Sequence, residues 1–334
     1  MDPSWLAKYR DIVICPVCGK EFSFGHQDIQ CLACGRVFSV DNEIPLLFAS
    51  DEGQTQRVTD VVKVFYEENP FPNYDDLDSK QSLLEKAKRG VFARLLNEQI
   101  PAGARVLEAG CGTGQLTNFL GIRWDRQVFG TDMCLNSLRL AKSFRDRAGI
   151  RNAAFMQMNL FRPAFRTGSF DVVISNGVLH HTGDPLGGFL SISRLLKPGG
   201  FILIGLYNKI GRLTTDLRRV WFRLSGNRLR RLDAQMRNSN HNEARKRAWF
   251  MDQYQHPRES KHSYDEVMGW FESNGFDFLC SIPKIDSFPF SAQEKLFEPH
   301  DKGTKLARWA TQVEMLLAGG TDGALFIMIG RKLK

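Results

Sequence analysis

A chain of 334 residues, 43% hydrophobic and 25% charged, has the composition of an ordinary soluble globule and the length for one large domain plus a small one. No apolar run approaches the ~18 residues of a membrane-crossing helix, and the opening M-D-P-S-W-L-A-K-Y-R lacks a signal-peptide core, so a cytoplasmic location is expected. The net charge of +8 is concentrated: Lys209–Arg247 carries twelve bases against Asp216, Asp233 and Glu243, a local +9 that leaves the rest of the chain near −1. The first readable element is a pair of knuckles. C-P-V-C-G at Cys15 and Cys18 is followed, after twelve residues, by C-L-A-C-G at Cys31 and Cys34. Each C-x-x-C sets two thiolates at the bite of one tetrahedral ion, and the glycine after it lets the chain turn beneath the metal. Two knuckles give a Cys₄ zinc pattern. The alternative, two disulfides in a secreted domain, lacks an export signal.

A closed Cys₄ site has no open coordination position, so these cysteines are assigned to structure rather than catalysis. The module, residues 1–50, is too small for a core of its own, and zinc should supply most of its folding free energy. Cys111, Cys134 and Cys280 read as small hydrophobes. Residues 51–80 form a linker whose aromatic part, Phe65–Tyr74 (F-Y-E-E-N-P-F-P-N-Y), has the pattern of neither helix nor strand.

Residues 104–114 read A-R-V-L-E-A-G-C-G-T-G, a short apolar strand running into glycines at alternate positions, Gly110, Gly112 and Gly114, and then a helical stretch, Gln115–Leu120. Glycines at such a turn let backbone and ligand approach closely. A dinucleotide is disfavoured: Glu108 at the strand tip would repel a pyrophosphate, and Gln115 and Thr117 stand where G-x-G-x-x-G needs its third glycine. A cationic, phosphate-free nucleoside such as S-adenosylmethionine fits better. A second strand, Gln127–Thr131, closes on Asp132, where an acid can accept both ribose hydroxyls. Strands follow at Ala153–Met158, ending at Asn159, and at Asp171–Ser175. Pro185–Lys197 has helical periodicity stopped by K-P-G-G, and Phe201–Leu206, Phe276–Ser281 and Ala324–Ile329 complete the strands. Alternating strands and helices indicate a parallel sheet with its ligand at the strand C-termini.

On E-A-G-C-G-T-G, G-T-D-M, F-D-V-V-I-S-N-G-V-L-H-H and L-K-P-G-G, the chain resembles the class I S-adenosylmethionine-dependent methyltransferases, in particular the group related to the menaquinone and ubiquinone methylases. The resemblance covers about Ala102–Tyr207, with Tyr264–Ile282 and Gly323–Arg331. It implies an α/β fold, a Rossmann-like seven-stranded, mostly parallel sheet. It assigns Glu108, Gly110, Gly112 and Gly114 to the methionine end of the cofactor, Asp132 to the ribose, Met133 to the adenine face and Asn159 to a place beside the adenine amino group, with Cys111, Leu160 and Asn176 as further cofactor-binding residues. Asn159 stands where the family usually has Asp, and its side-chain oxygen can still accept the adenine amino group. F-S-V-D-N-E-I-P-L-L-F after Cys34 resembles the short zinc ribbon of Trm112-like proteins. Related enzymes roof the cofactor with a pre-domain segment, a role open to Tyr66, Phe71 and Tyr74, with linker packing as the alternative.

Residues 81–334 are thus a methyltransferase domain with insertions at about 208–262 and 283–320. In the first, Leu213, Leu217, Val220, Trp221 and Leu224 share a helical face, with Arg218, Arg219 and Arg223 elsewhere on the surface. Such a helix docks on its own domain, binds RNA phosphates, lies on an anionic membrane or covers the site as a lid. In the second, Leu306, Trp309, Ala310, Val313 and Leu317 fit one helical face. His180 and His181 are the candidate bases by location and ordinary pKa, and Asn176 and Tyr207 candidate acceptor-orienting residues. S-N-G-V in place of N-P-P-Y argues against adenine-N6 chemistry. The first expectation is methyl transfer to a small-molecule or carrier- or lipid-linked acceptor. The alternative is an RNA methyltransferase using ribbon and basic segment, although Lys20 is offset by Glu21 and Asp28 within the ribbon. Intact Glu108, Gly110, Gly112 and Asp132 oppose a silent binding module.

Overall fold

The apolar runs form strands that lie side by side in one sheet. The structure, a computed structural model, describes residues 4–25, 28–50, 53–72, 79–228, 230–238, 242–285, 290–318 and 323–334. A helical turn α1 (Ser4–Ala7) precedes a meander of β1 (Phe22–Phe24), β2 (Asp28–Cys31), β3 (Val37–Asp41) and β4 (Ile44–Leu47). Helices α2 (Gly53–Glu68), α3 (Lys80–Arg89) and α4 (Val91–Gln99) follow. Then come β5 (Arg105–Ala109), α5 (Gln115–Leu120), β6 (Gln127–Asp132), α6 (Leu135–Arg147) and β7 (Ala153–Met158). The chain continues through β8 (Phe170–Asn176), α7 (Pro185–Ser193) and β9 (Leu196–Tyr207). The insertion after β9 holds α8 (Leu213–Leu224), α9 (Ala234–Arg237) and α10 (Glu243–Tyr254). Last come α11 (Tyr264–Ser273), β10 (Phe276–Ile282), α12 (Lys305–Leu317) and β11 (Leu325–Lys332).

The strand order is β1-β2-β3-β4-β7-β6-β5-β8-β9-β11-β10. From β7 to β10 this is the seven-stranded sheet expected: β7, β6, β5, β8 and β9 are parallel, and β11 is antiparallel to both β9 and β10. Strand alternation feeds a core on each face. Val106 packs in a cluster with Leu96, Leu120 and Phe144. Its neighbour Leu107 joins Phe129, Phe170 and Phe189 on the other side.

The cysteine module is not a free-standing appendage. Strand β4 pairs in parallel with β7, Leu46 opposite Gln157 and Leu47 opposite Met158, so the ribbon extends the main sheet. Tyr9, Ile12, Phe22, Ile29 and Phe38 belong to the same apolar cluster as Phe129, Phe165 and Phe170. The Tyr9 ring meets Phe129 edge-on at 4.8 Å. A module without a core of its own borrows one from its neighbour.

Two local expectations are corrected. Helix α2 runs through Phe65 and Tyr66 to Glu68, so only the last part of the aromatic segment leaves the helix, and Tyr74 lies outside the described residues. Helix α7, capped by the Asp184 carboxylate accepting from the Gly187 amide at 2.9 Å, ends at Ser193. K-P-G-G therefore does not stop it but opens β9, within a register shift against β8.

Both insertion helices turn their apolar stripes outward. Leu213, Leu217, Val220, Trp221 and Leu224 of α8 are exposed, as are Leu306, Trp309 and Leu317 of α12. The sides turned inward carry Thr215 and Phe222 on α8, and Arg308, Thr311, Gln312 and Met315 on α12. Arg219 is not a surface arginine: it is mostly buried and pairs with the Glu259 carboxylate at 2.9 Å.

Candidate active site

The turn after β5 is built by positive φ. Gly110, Gly112 and Gly114 have φ of 80°, 52° and 71°, a region that side chains beyond glycine rarely occupy. Protein atoms lie where a side chain on each would begin. A Cβ on Gly110 would meet Val178 at 2.5 Å, one on Gly112 the Phe71 carbonyl, and one on Gly114 Ala141 and Phe155 at 2.7 Å. Gly114 is therefore a packing glycine and does not line the cavity above the loop.

That cavity, about 420 Å³, opens at the C-terminal ends of the parallel strands. Glu108, Gly110, Cys111, Gly112, Asp132, Met133, Asn159, Leu160, Asn176, His181 and Tyr207 all border it. Sequence spacing put these residues at strand tips, and the sheet brings the tips together.

Glu108 is buried. Burial raises its pKa to about 7, against the opposing hydrogen bonds from Thr117 and with a smaller raising effect from Asp132. Burial also raises the pKa of Asp132, while backbone amides oppose it. One carboxylate oxygen accepts from Gly112 N at 2.8 Å and the other from Cys134 N at 2.9 Å, which fixes the plane of the group at the rim. A buried Glu108 and a half-buried Asp132 on one cavity suit a ligand with a cationic end and sugar hydroxyls, and repel a phosphate. The Cys111 thiol is pushed well above its ordinary range by burial, with Asp132 and Glu108 adding to the effect, so it stays protonated and is no nucleophile.

Asn159 faces the cavity with its amide already engaged. Its Nδ2 donates to the Ala49 carbonyl at 3.0 Å, and its Oδ1 accepts from Phe161 N at 3.0 Å. An ionised Asp could not donate to Ala49, so asparagine here ties β7 to the segment leaving β4. Its Oδ1 keeps a second lone pair with which to accept from a ligand.

The two histidines separate. His181 borders the cavity; its Nδ1 lies 2.9 Å from the Arg258 carbonyl, which can only accept, so Nδ1 carries the proton and Nε2 the lone pair. Burial lowers its pKa to about 4, keeping it neutral. His180 does not reach the cavity. It is fully buried between His181 and Tyr207, with ring centroids 4.1 and 4.0 Å away, and neither ring nitrogen meets a partner among the described residues. Burial, with His181 next, holds its pKa well below the ordinary value. A base role for His180 is therefore withdrawn.

Sequence reasoning missed the other end of the cavity. Trp249, Asp252 and Gln253 of α10 line it, with Tyr66 of α2 and Phe71. The Asp252 carboxylate accepts from Tyr66 OH at 2.8 Å, from Gln253 Nε2 at 2.8 Å and, at 3.4 Å, from Tyr207 OH. Beneath it Arg212, fully buried, stacks 3.6 Å from the Tyr207 ring centre and grips Glu259 through two nitrogens at 3.0 and 2.7 Å. Burial alone would raise Glu259, but Arg212 and Arg219 overcome it and hold its pKa at about 2. No motif marks W-F-M-D-Q-Y in the sequence; its only signal was membership of an insertion following a strand tip.

Away from the cavity, the sulfurs of Cys15, Cys18, Cys31 and Cys34 lie within 4.8 Å of one another. Cys18 and Cys31 are 3.3 Å apart and Cys15 and Cys34 3.9 Å. A Zn–S bond of about 2.3 Å gives tetrahedral sulfur–sulfur edges of about 3.8 Å. The four thiols therefore suit a zinc ion. Both knuckles turn through a glycine at positive φ, Gly19 at 73° and Gly35 at 70°.

Residues 107–204 match the methyltransferase domain family. An uncharacterised protein of Synechococcus sp. is 30% identical over 201 residues, 52% of this chain and 48% of that protein. A ubiquinone biosynthesis O-methyltransferase of Albidiferax ferrireducens is 33% identical over 109 residues, 32% of this chain and 43% of that enzyme. The chain thus spans about half the length, or less, of these relatives. Among solved structures, PKMT2 from Rickettsia typhi in complex with AdoHcy aligns with a TM-score of 0.49 at 15% identity, over 73% of this chain and 54% of that one.

Proposed function

We propose that this chain, whose residues 107–204 match the methyltransferase domain family, is a class I S-adenosylmethionine-dependent methyltransferase and that the whole protein methylates a small-molecule or carrier- or lipid-linked acceptor held under α10. The observation that carries this is the shared cavity: Trp249, Asp252 and Gln253 of the insertion line the same space as Glu108 and Asp132. An insertion that closes over the site makes an enclosed acceptor pocket rather than an open track for a polymer.

Glu108 would hold the α-ammonium of S-adenosylmethionine, Asp132 its ribose hydroxyls, and Met133 and Leu160 its adenine. Bound there, the cofactor supplies an electrophilic methyl group on a sulfonium. The chain's own part is positioning and exclusion of water, which supply much of the rate in an in-line displacement. Asp252, steadied by Tyr66 and Gln253, would accept a hydrogen bond from an acceptor hydroxyl or amine; Tyr207 and Asn176 would orient it. His181 Nε2 offers a second acceptor on the same wall. Cys15, Cys18, Cys31 and Cys34 would hold structural zinc.

The test is incubation with methyl-labelled cofactor and three fractions: polar metabolites, lipid extract and total RNA. Label in a metabolite or lipid fraction, lost in Asp252→Asn, is the expected result. Label entering RNA, unaffected by Asp252→Asn, would overturn the reading in favour of RNA.

A further inference from the structure

Helices on a globular surface turn their apolar stripe to the core. Here two helices do the opposite. On α8, Leu213, Leu217, Val220, Trp221 and Leu224 fall in one stripe of about 100°, and Leu217 and Trp221 are 64% and 58% exposed. On α12, Leu306 and Trp309 are 73% and 54% exposed. Neither helix can roll over, because polar contacts hold the opposite sides. Arg219 pairs with Glu259 at 2.9 Å, Arg308 with Asp265 at 2.6 Å, and Gln312 accepts from Asn208 at 3.0 Å.

Both helices sit at the cavity end of the sheet. Helix α8 follows Tyr207, the last residue of β9; α12 lies between Ile282, the end of β10, and Leu325, the start of β11, and Leu325 pairs with Tyr207. The Asn208–Gln312 bond joins the root of the first insertion to α12 of the second. On α8 the one acid, Asp216, is paired with Lys261, while Arg223 and, in the turns that follow the helix, Arg228, Arg230, Arg231 and Arg237 are exposed, within the segment that carries +9. Tryptophan and leucine with flanking arginines suit the boundary between acyl chains and anionic headgroups. No described helix is long and apolar enough to cross a membrane, so the association would be one of lying on the surface.

We propose that the exposed faces of α8 and α12 seat the cavity end of this protein on an anionic lipid bilayer. Apolar side chains enter the headgroup region, and the arginines beside α8 neutralise lipid phosphates. This surface goes beyond the methyl-transfer reading and does not depend on it, since vesicle binding is measured without turnover.

The experiment is co-sedimentation of the full chain with vesicles of phosphatidylcholine mixed with phosphatidylglycerol, and with phosphatidylcholine alone. The expected result is binding to the mixed vesicles, weakened by salt, with L217E, W221E and W309E each lowering the bound fraction by about tenfold or more. All three positions are exposed, so thermal melts of these variants should match the parent. Three results would overturn the proposal. One is no vesicle binding by the parent, and another is equal binding by parent and variants. The third is a stable dimer in light scattering that W221E or W309E dissociates, which would assign the surface to a second copy of the chain.

Discussion

The hydroxyl of Tyr66, in the helix that follows the ribbon, donates to the carboxylate of Asp252, 186 residues later, at 2.8 Å. This contact joins α2 to α10 over the cavity, so the two walls that sequence reading treated as a linker and a basic insertion form one roof. Both residues line the cavity, and Phe71 closes the gap beside Gly112.

Asp252→Asn should lower turnover by about 10²-fold or more, the lower range for a positioned acid–base group, while leaving cofactor affinity nearly unchanged. Tyr66→Phe removes one hydrogen bond to a charged group and should cost about 1.5–3 kcal/mol of transition-state stabilisation. Initial rates with calorimetry of cofactor binding check both. Equal loss of rate and cofactor affinity in Asp252→Asn would remove Asp252 from the acceptor end.

Glu108 gives cofactor binding a pH dependence. With its pKa raised to about 7 by burial, the unliganded site is protonated below that value. A cationic ligand needs the carboxylate ionised. Affinity should therefore rise by about tenfold per pH unit below about 7 and level off above it. For stability the sign is opposite. The group's contribution is fully present below its ordinary 4.5 and is lost as pH rises through about 7, so ligand-free protein should weaken across that interval. Titration calorimetry at several pH values checks the first effect, and Glu108→Gln should flatten it. A flat profile in the parent would separate Glu108 from the cofactor's ammonium.

Chelation tests the ribbon. The purified chain should carry one zinc, and Cys18→Ser or Cys34→Ser should release it. Because Ala49 accepts from Asn159 at the cavity wall and β4 pairs with β7, metal loss should lower cofactor affinity as well as the melting temperature. Elemental analysis with a binding titration reads both. Unchanged cofactor binding after complete metal removal would show that the contact does not transmit.

The Arg212–Glu259 pair predicts a local weak point. Removing one partner of a buried ion pair typically costs about 3–5 kcal/mol, so Glu259→Gln should destabilise the chain and Arg212→Met more so, since Arg212 also bonds the carbonyl of Gly323 at 2.9 Å. The contribution of Glu259 is present above its ordinary 4.5 and is lost as pH falls through about 2. Hydrogen exchange should show 208–262 opening first. Uniform exchange changes across the sheet would argue against a separate lid.

The cysteine knuckles, the glycine turn, Glu108 and Asp132 were legible because each depends on spacing within a few residues. The aromatic helix through Tyr66 was obscured by Asn69, Pro70 and Pro72, which break the pattern only after the helix has ended. The stripes on α8 and α12 were visible as periodicity, but periodicity has no direction; their outward facing follows from Arg219 meeting Glu259 and Arg308 meeting Asp265, partners distant in sequence. Asp252 was invisible for the same reason, since its role comes from Tyr66 and Tyr207 arriving from other elements. His180 and His181 are neighbours in sequence, and only packing distinguishes the one at the cavity from the one behind it.

Strand β4 pairs with Gln157 and Met158 at the end of β7, on the outer edge of an entirely buried, methionine- and phenylalanine-bearing strand whose amides and carbonyls there would otherwise be open to another chain. With zinc holding the four cysteines, as proposed, metal supply becomes a condition of solubility as well as of shape. In zinc-poor growth the newly made chain should accumulate as aggregates joined through β7, and a burst of zinc should rescue only the fraction not yet assembled.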